Sequence, residues 1–171
     1  VGNGLDASVT QGPLINEKGV EKVESHVRDA LDHGGELLCG GHRHELGATF
    51  FEPTVIGEAT AEMRLAREET FGPLAPLFRF RDEAEALAMA NATDSGLAAY
   101  FYTRDLARSW RVSEALEYGI VGINTGIIST EVAPFGGVKD SGLGREGSKY
   151  GLLDYTVLKY ACVGAVSGER G

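Results

Sequence analysis

No run of apolar residues in this 171-residue chain approaches the ~20 needed to cross a bilayer, so a membrane-spanning helix is excluded. Positive charge is also short. With 16 Lys and Arg against 25 Asp and Glu the net charge is -9, which argues against a nucleic-acid partner, since phosphates need clustered cations. Cysteine is nearly missing: Cys39 and Cys162 lie far apart, without a CxxC partner or the His spacing of a zinc site, so no metal centre is expected. Each sits in an apolar, strand-like run where a buried free thiol is expected, and that suggests a reducing compartment, the cytoplasm. All four histidines (His26, His33, His42 and His44) fall in one helix and the loop after it. There is no G-x-S-x-G elbow, and no Ser-His-Asp set can be assembled. His42 and His44 alternate in a polar loop with no third metal ligand in sight. Internal repeats and low-complexity tracts are absent too. Val1-Gly2-Asn3-Gly4 has no Met, basic n-region or apolar h-region, and the chain reads as a fragment that begins part-way through something longer.

What is present fits one soluble domain, or one lobe of a larger one. Residues 1–16 form a loop. Asn16 is a good N-cap ahead of Glu17, and Val20, Val23, Val27, Ala30 and Leu31 then recur at three and four, the apolar face of a helix that Gly34-Gly35 ends. Strands are expected at Glu36 to Cys39, at Phe50 to Ile56 with Pro53 at its start or on an edge, and at Leu74 to Phe80, covered on both faces. Residues 59–67 are expected to make one or two helical turns. Asp82 is expected to cap a helix running to Asn91, Ala98 to Tyr102 to be a strand, and Asp105 to cap a second helix whose apolar face is Leu106, Trp110, Val112 or Ser113, and Leu116. Gly119 ends that helix and Ile120 to Asn124 forms a further strand. Strand, helix, strand, helix, strand across 74–124 is the pattern of parallel crossovers, and the fold class is α/β. Glycine crowds residues 125–151, which points to backbone passing close to a ligand or another segment. Asp154 to Val163 is β-branched and aromatic, a terminal strand that needs a partner edge; a second subunit is the simplest supplier.

Two short stretches bear on chemistry. Glu68-Glu69-Thr70-Phe71-Gly72-Pro73 sets two carboxylates beside an aromatic ring and a chain-breaking Gly-Pro pair. A carboxylate has acceptors enough for the vicinal hydroxyls of a ribose, and a Phe ring can lie against a flat heteroaromatic; a charged turn before a buried strand is the plainer reading of the same residues. Gly142-Leu143-Gly144-Arg145-Glu146-Gly147 is a literal G-x-G-x-x-G, but a loop precedes it and no βαβ unit has room to follow, so it is not a dinucleotide-binding fingerprint.

Taken together, several segments resemble the NAD(P)-dependent aldehyde dehydrogenases. Glu68-Glu69-Thr70-Phe71-Gly72-Pro73 is similar to that family's cofactor-contacting segment, Pro134-Phe135-Gly136-Gly137-Val138-Lys139-Asp140-Ser141-Gly142 to its P-F-G-G-x-K-x-S-G run, Gly144-Arg145-Glu146-Gly147 to its G-R-E-x segment, and Gly12-Pro13-Leu14-Ile15 to its G-P-x-I/V segment. They come in the family's order and span nearly the whole chain. Within the family, Asn124 to Phe135 and Gly142 to Gly151 resemble the succinate-semialdehyde dehydrogenase branch most.

The resemblance implies that residues 1–151 are the C-terminal part of a catalytic domain, a parallel sheet with crossover helices, and that 152–171 are an oligomerisation strand and tail, giving a homo-oligomer through Asp154 to Val163. It implies NAD or NADP as cofactor, with Glu69 on the nicotinamide ribose hydroxyls and Phe71 near the nicotinamide ring. Ser129 would help hold the substrate's far carboxylate and Phe135 would line the aldehyde tunnel. Glu146 would assist proton movement as an auxiliary group, or fix the glycine-rich loop through an ion pair. The nucleophilic Cys, the general base and most of the cofactor domain would lie in segments ahead of Val1, so no catalytic residue is expected here and the chain alone is expected to be inactive. The implied reaction of the full-length enzyme is oxidation of succinate semialdehyde to succinate. Alternatives are another aldehyde such as glutarate semialdehyde, or a non-catalytic module that only associates with full-length subunits.

Overall fold

Asn16 starts the first helix by taking up one of the amides a helix leaves unpaired at its N-terminus. Its side-chain oxygen accepts from Gly19 N at 3.0 Å, and α1 runs Glu17–Asp32. Val20, Val23, Val27 and Ala30 are buried along one face, and His26 is buried in the same row. The helix closes where Gly34, at φ 86°, turns left-handed and Gly35 N donates back to Ala30 O at 2.8 Å. The structure, a computed structural model, describes residues 1–164. It divides into two compact units, Val1–Asp82 and Glu83–Gly171.

In the first unit β1 (Glu36–Cys39) pairs antiparallel with β2 (Thr54–Gly57), and β2 pairs parallel with β3 (Leu74–Pro76). Pro53 precedes β2, as its missing N–H requires. A 3-10 turn, Arg64–Ala66, stands where one or two helical turns were expected. Phe51, Ile56, Ala59 and Met63 pack with the valines of α1 into one core, flanked by Leu14, Leu65, Leu74 and Phe78. Each of the larger side chains, Phe, Ile, Met and Val, contributes about 1.5–3 kcal/mol by leaving water.

Two expectations need correcting here. The third strand is shorter than Leu74 to Phe80, and Leu77 and Phe80 are exposed, so it is not covered on both faces. Cys39 is exposed because β1 is the edge of its sheet and all four of its residues face solvent; Cys162 is exposed as well. Both thiols are free, but the burial from which a reducing compartment was argued is not there. The loop bearing His42 and His44 is pinned by Arg43, whose guanidinium donates to Glu24 at 2.8 and 3.1 Å and pairs with Glu17 at 2.6 Å.

The second unit begins with α2 (Glu83–Asn91), followed by β4 (Ser95–Gly96) and β5 (Ala98–Phe101). Next come α3 (Leu106–Ala115) and β6 (Ile120–Ile123). β5 and β6 are parallel, from Ala98 opposite Ile120 to Phe101 opposite Ile123, with α3 as the crossover. Asp105 caps α3 by accepting from Arg108 N at 3.1 Å. Only one of the two crossovers expected over 74–124 is seen, because β3 takes β2 as its parallel neighbour. The expected apolar face of α3 is buried only in part: Val112 is buried and Leu116 half-buried, but Leu106 and Trp110 are exposed. Among the described residues Val112 is the one buried hydrophobic side chain of this unit.

Asn124 ends β6 with its backbone at φ 57° while its side chain carries the ladder one step further. Oδ1 accepts from Thr103 N at 2.8 Å and Nδ2 donates to Thr103 O at 2.8 Å, the pair of bonds a peptide group would make. β7 (Val138–Lys139) returns antiparallel to β4. Lys139 Nζ fastens it by donating to Asn91 O and Thr93 O, each at 3.0 Å, and by pairing with Glu117 at 2.6 Å. The glycines serve close approach: a Cβ on Gly119 would land on the Gly136 carbonyl. Gly142 to Gly147 lies between the two-residue β7 and the four-residue α4 (Ser148–Gly151), with none of the strand and long helix a dinucleotide fingerprint needs.

A 3-10 turn, Leu152–Tyr155, follows. The strand expected from Asp154 does not begin there, since Asp154 is held in that turn by accepting from Arg145 N at 2.8 Å. Residues 156–164 make no ladder with other described residues, and the end of the expected tail, residues 165–171, lies outside the described residues. Among the described residues no helix is long and apolar enough to cross a membrane.

Candidate functional site

The turn at residues 68–73 is tied down at two places. Glu68, itself half-exposed, and the half-buried Thr70 both reach the ring of the buried His26. His26 Nε2 lies 3.2 Å from Glu68 Oε2, and His26 Nδ1 lies 2.6 Å from Thr70 Oγ1. Arg64 grips the same carboxylate as a fork, Nε donating to Oε1 and Nη2 to Oε2, both at 2.9 Å. That guanidinium, and after it the His26 ring, hold the Glu68 carboxyl down to about 2. Gly72 N donates to Thr70 O, and Pro73 O accepts from Thr54 N at 2.8 Å, which joins the turn to the sheet.

The residues between the anchors point the other way. Glu69 is exposed, and among the described residues no hydrogen bond or ion pair occupies its carboxylate. The Phe71 ring is 84 % exposed, an unusual state for a large apolar side chain on a tightly held turn. The pair therefore offers two free acceptor oxygens and a bare aromatic face, supported from behind.

In the second unit Phe135 and Glu146 sit opposite one another as a bridge, Phe135 N donating to Glu146 O at 2.8 Å and Glu146 N to Phe135 O at 2.7 Å. Both line a cleft of about 610 Å³ under the glycine-rich loop, together with Leu97, Ser141, Arg145 and Asp154. Arg145 does the fixing that an ion pair of Glu146 might have done: its Nη1 donates to Gly137 O at 2.8 Å and Gly144 O at 2.7 Å. The Glu146 side chain is exposed and makes no ion pair among the described residues. Ser129 is exposed on the loop after Asn124 and does not line the cleft. Each unit thus gathers its own share of the expected residues: Glu69 and Phe71 in the first, Phe135 with Glu146 in the second.

Sequence reasoning missed the groups that hold these residues: His26, Arg64 and Thr70 behind the turn, Arg145 and Asp154 under the loop. A signal for His26 was available, since it falls in the buried row with Val23, Val27 and Ala30. A polar ring in that row needs partners. No group of metal-ligating side chains occurs among the described residues.

A family model described as the aldehyde dehydrogenase family matches residues 1–161. The chain belongs to the aldehyde dehydrogenase family. It is 65% identical over 164 residues, 96% of its length, to the NADP(+) succinate-semialdehyde dehydrogenase of Escherichia coli strain K12. It is 63% identical to the 3-sulfolactaldehyde dehydrogenase of Pseudomonas putida and 61% identical to the glutarate-semialdehyde dehydrogenase of Pseudomonas aeruginosa, in each case over 97% of the chain. It spans 34% of the length of each of these three relatives. Among solved aldehyde dehydrogenases, the succinate-semialdehyde dehydrogenase of Burkholderia pseudomallei superposes with a TM-score of 0.93 at 64% identity, covering 95% of this chain and 34% of that one. The α/β fold is thus that of a portion of an aldehyde dehydrogenase.

Proposed function

We propose that these residues form part of the cofactor contact and part of the aldehyde passage of an NAD(P)-dependent enzyme that oxidises succinate semialdehyde to succinate. The observation that carries this reading is the 65% identity, across 96% of the chain, to an enzyme named for that substrate. The exposed pair on the turn fits the cofactor. Glu69 would accept from the vicinal hydroxyls of the nicotinamide ribose, and Phe71 would pack beside the nicotinamide ring. NAD or NADP, when bound, supplies the hydride acceptor. Ser129 would donate to the substrate's far carboxylate, Phe135 would wall the passage, and Glu146, its carboxylate free, would relay a proton as an auxiliary.

Neither cysteine suits the nucleophile. Cys39 lies on an edge strand with its thiol toward Pro53 O, and Cys162 makes no hydrogen bond among the described residues. The family's thiolate and general base would come from segments outside this chain, so the 171 residues alone should not oxidise aldehydes. Residues 156–163, with Val157, Leu158, Tyr160 and Val163 all bare, would add a strand to the sheet of another copy. The free thiols fit a cytoplasmic setting.

A second reading is favoured by the relatives at 63% and 61%, named for 3-sulfolactaldehyde and glutarate semialdehyde. Those aldehydes, like succinate semialdehyde, carry an anionic group away from the reacting carbon. The test uses an enzyme of full family length carrying these 171 residues, the remainder supplied by the Escherichia coli relative. Its kcat/KM is compared for the three anionic aldehydes and for butanal, the uncharged analogue. Succinate semialdehyde should be preferred. Ser129→Ala should raise its KM about tenfold, as loss of a hydrogen bond to a charged group does, and leave the KM of butanal unmoved. Equal rates with butanal, or an unchanged KM in the variant, would sink the carboxylate reading.

A further inference from the structure

We propose that His26 is a positioning residue for the cofactor contact: one enclosed ring on α1 fixes the direction in which Glu69 and Phe71 point. This rests on the reading of those two residues given above. His26 is 0% exposed and occupies a place in the α1 row where an aliphatic side chain would meet every packing need. A ring with two polar nitrogens there must find two partners, and it takes both from the turn.

Those partners, Glu68 and Thr70, are the residues on either side of Glu69. A single anchor would leave the turn free to rotate about it; two anchors on one rigid ring pin the peptides on both sides of Glu69. With Glu68 and Thr70 both tied to the ring, Glu69 and Phe71 are the residues of the turn left exposed and unbonded. The proton positions follow from the chemistry. The Glu68 carboxylate, gripped by Arg64, can only accept, so Nε2 carries the hydrogen and donates to it. In the neutral ring Nδ1 then accepts from the Thr70 hydroxyl. His26 touches no part of the cofactor; it acts through its neighbours.

Three substitutions in the full-length enzyme separate positioning from packing. His26→Leu keeps apolar bulk and loses both contacts, His26→Asn puts an amide near the place of Nδ1, and His26→Gln puts one near the place of Nε2. Cofactor affinity is read without turnover, by titrating NADPH and following its fluorescence, and the KM values for NADP and aldehyde are measured beside it. We expect His26→Leu to weaken NADPH binding about tenfold, the scale of one hydrogen bond to a charged group. KM for NADP should rise by a similar factor while KM for the aldehyde stays within about twofold. His26→Asn and His26→Gln, each restoring one anchor, should fall between His26→Leu and the parent, and they carry the test if His26→Leu does not fold.

Unchanged NADPH affinity in all folded variants would overturn the inference. So would parallel losses in cofactor and aldehyde KM, which mark a residue that only holds the fold. Glu69→Ala is titrated alongside. If it leaves NADPH affinity unmoved, the cofactor reading itself has failed; if it weakens binding while the His26 variants do not, positioning alone has failed.

Discussion

At the scale of the residue, the chain's chemistry is set by which side chains are left without partners. Glu68 and Glu69 are the same amino acid one position apart, yet the first is clamped by Arg64 and His26 while the second is free. Asn124 shows the opposite economy, with every polar atom of its amide in use. It is suited to its place on two counts, since Asn tolerates the left-handed backbone and its amide copies a peptide. Asn124→Gly keeps the first property and Asn124→Gln the second. Each is expected to speed exchange of the Thr103 amide roughly fivefold in the full-length enzyme, the scale of one ordinary hydrogen bond. Hydrogen exchange followed by mass spectrometry over that peptide would check it, and unaltered exchange would contradict the role given to Asn124.

At the scale of the element, helix boundaries were readable because their signals are local. Asn16 and Asp105 each cap the helix they precede, and Gly34 closes α1. Strand boundaries were less so, because a ladder depends on a neighbour that periodicity does not reveal; β3 stops at Pro76 although apolar residues continue to Phe80. Glu69, Phe71 and Phe135 were singled out through family resemblance alone. Their supports were not, because His26 lies 42 positions from Glu68 and nothing local joins them.

The Glu68 clamp also makes the pairing of α1 with its turn acid-sensitive. A carboxyl held at about 2, against an ordinary 4.5, stabilises the fold above pH 4.5 and gives that stabilisation up as pH falls toward 2. The urea midpoint of Glu68→Gln should therefore lie below the parent's at pH 7, and the gap should close between about pH 4.5 and 2. A gap that persists to pH 2 would show that the ion pair is not its source.

On the scale of the whole molecule, the two units differ in what they bury. The first carries eight buried hydrophobic residues in one cluster, whereas the second has Val112 and leaves Tyr102, Leu106, Trp110, Ile127, Leu143 and the apolar residues of 152–163 open to water. Apolar surface on that scale is normally covered by another part of a protein or another copy. The 171 residues alone should accordingly bind a hydrophobic dye such as ANS and associate at micromolar concentration, and the full-length enzyme should not. A soluble, dye-free monomer that melts cooperatively would contradict this.

Val112's isolation also bears on how the protein is made. Residues 1–82 hold a core of their own and can collapse as they leave the ribosome. β5, α3 and β6, synthesised afterwards, bury almost no apolar side chain among themselves and depend on covering surface from beyond their own elements. Until they are covered, Trp110 and Leu106 present a helix face of the kind chaperones hold.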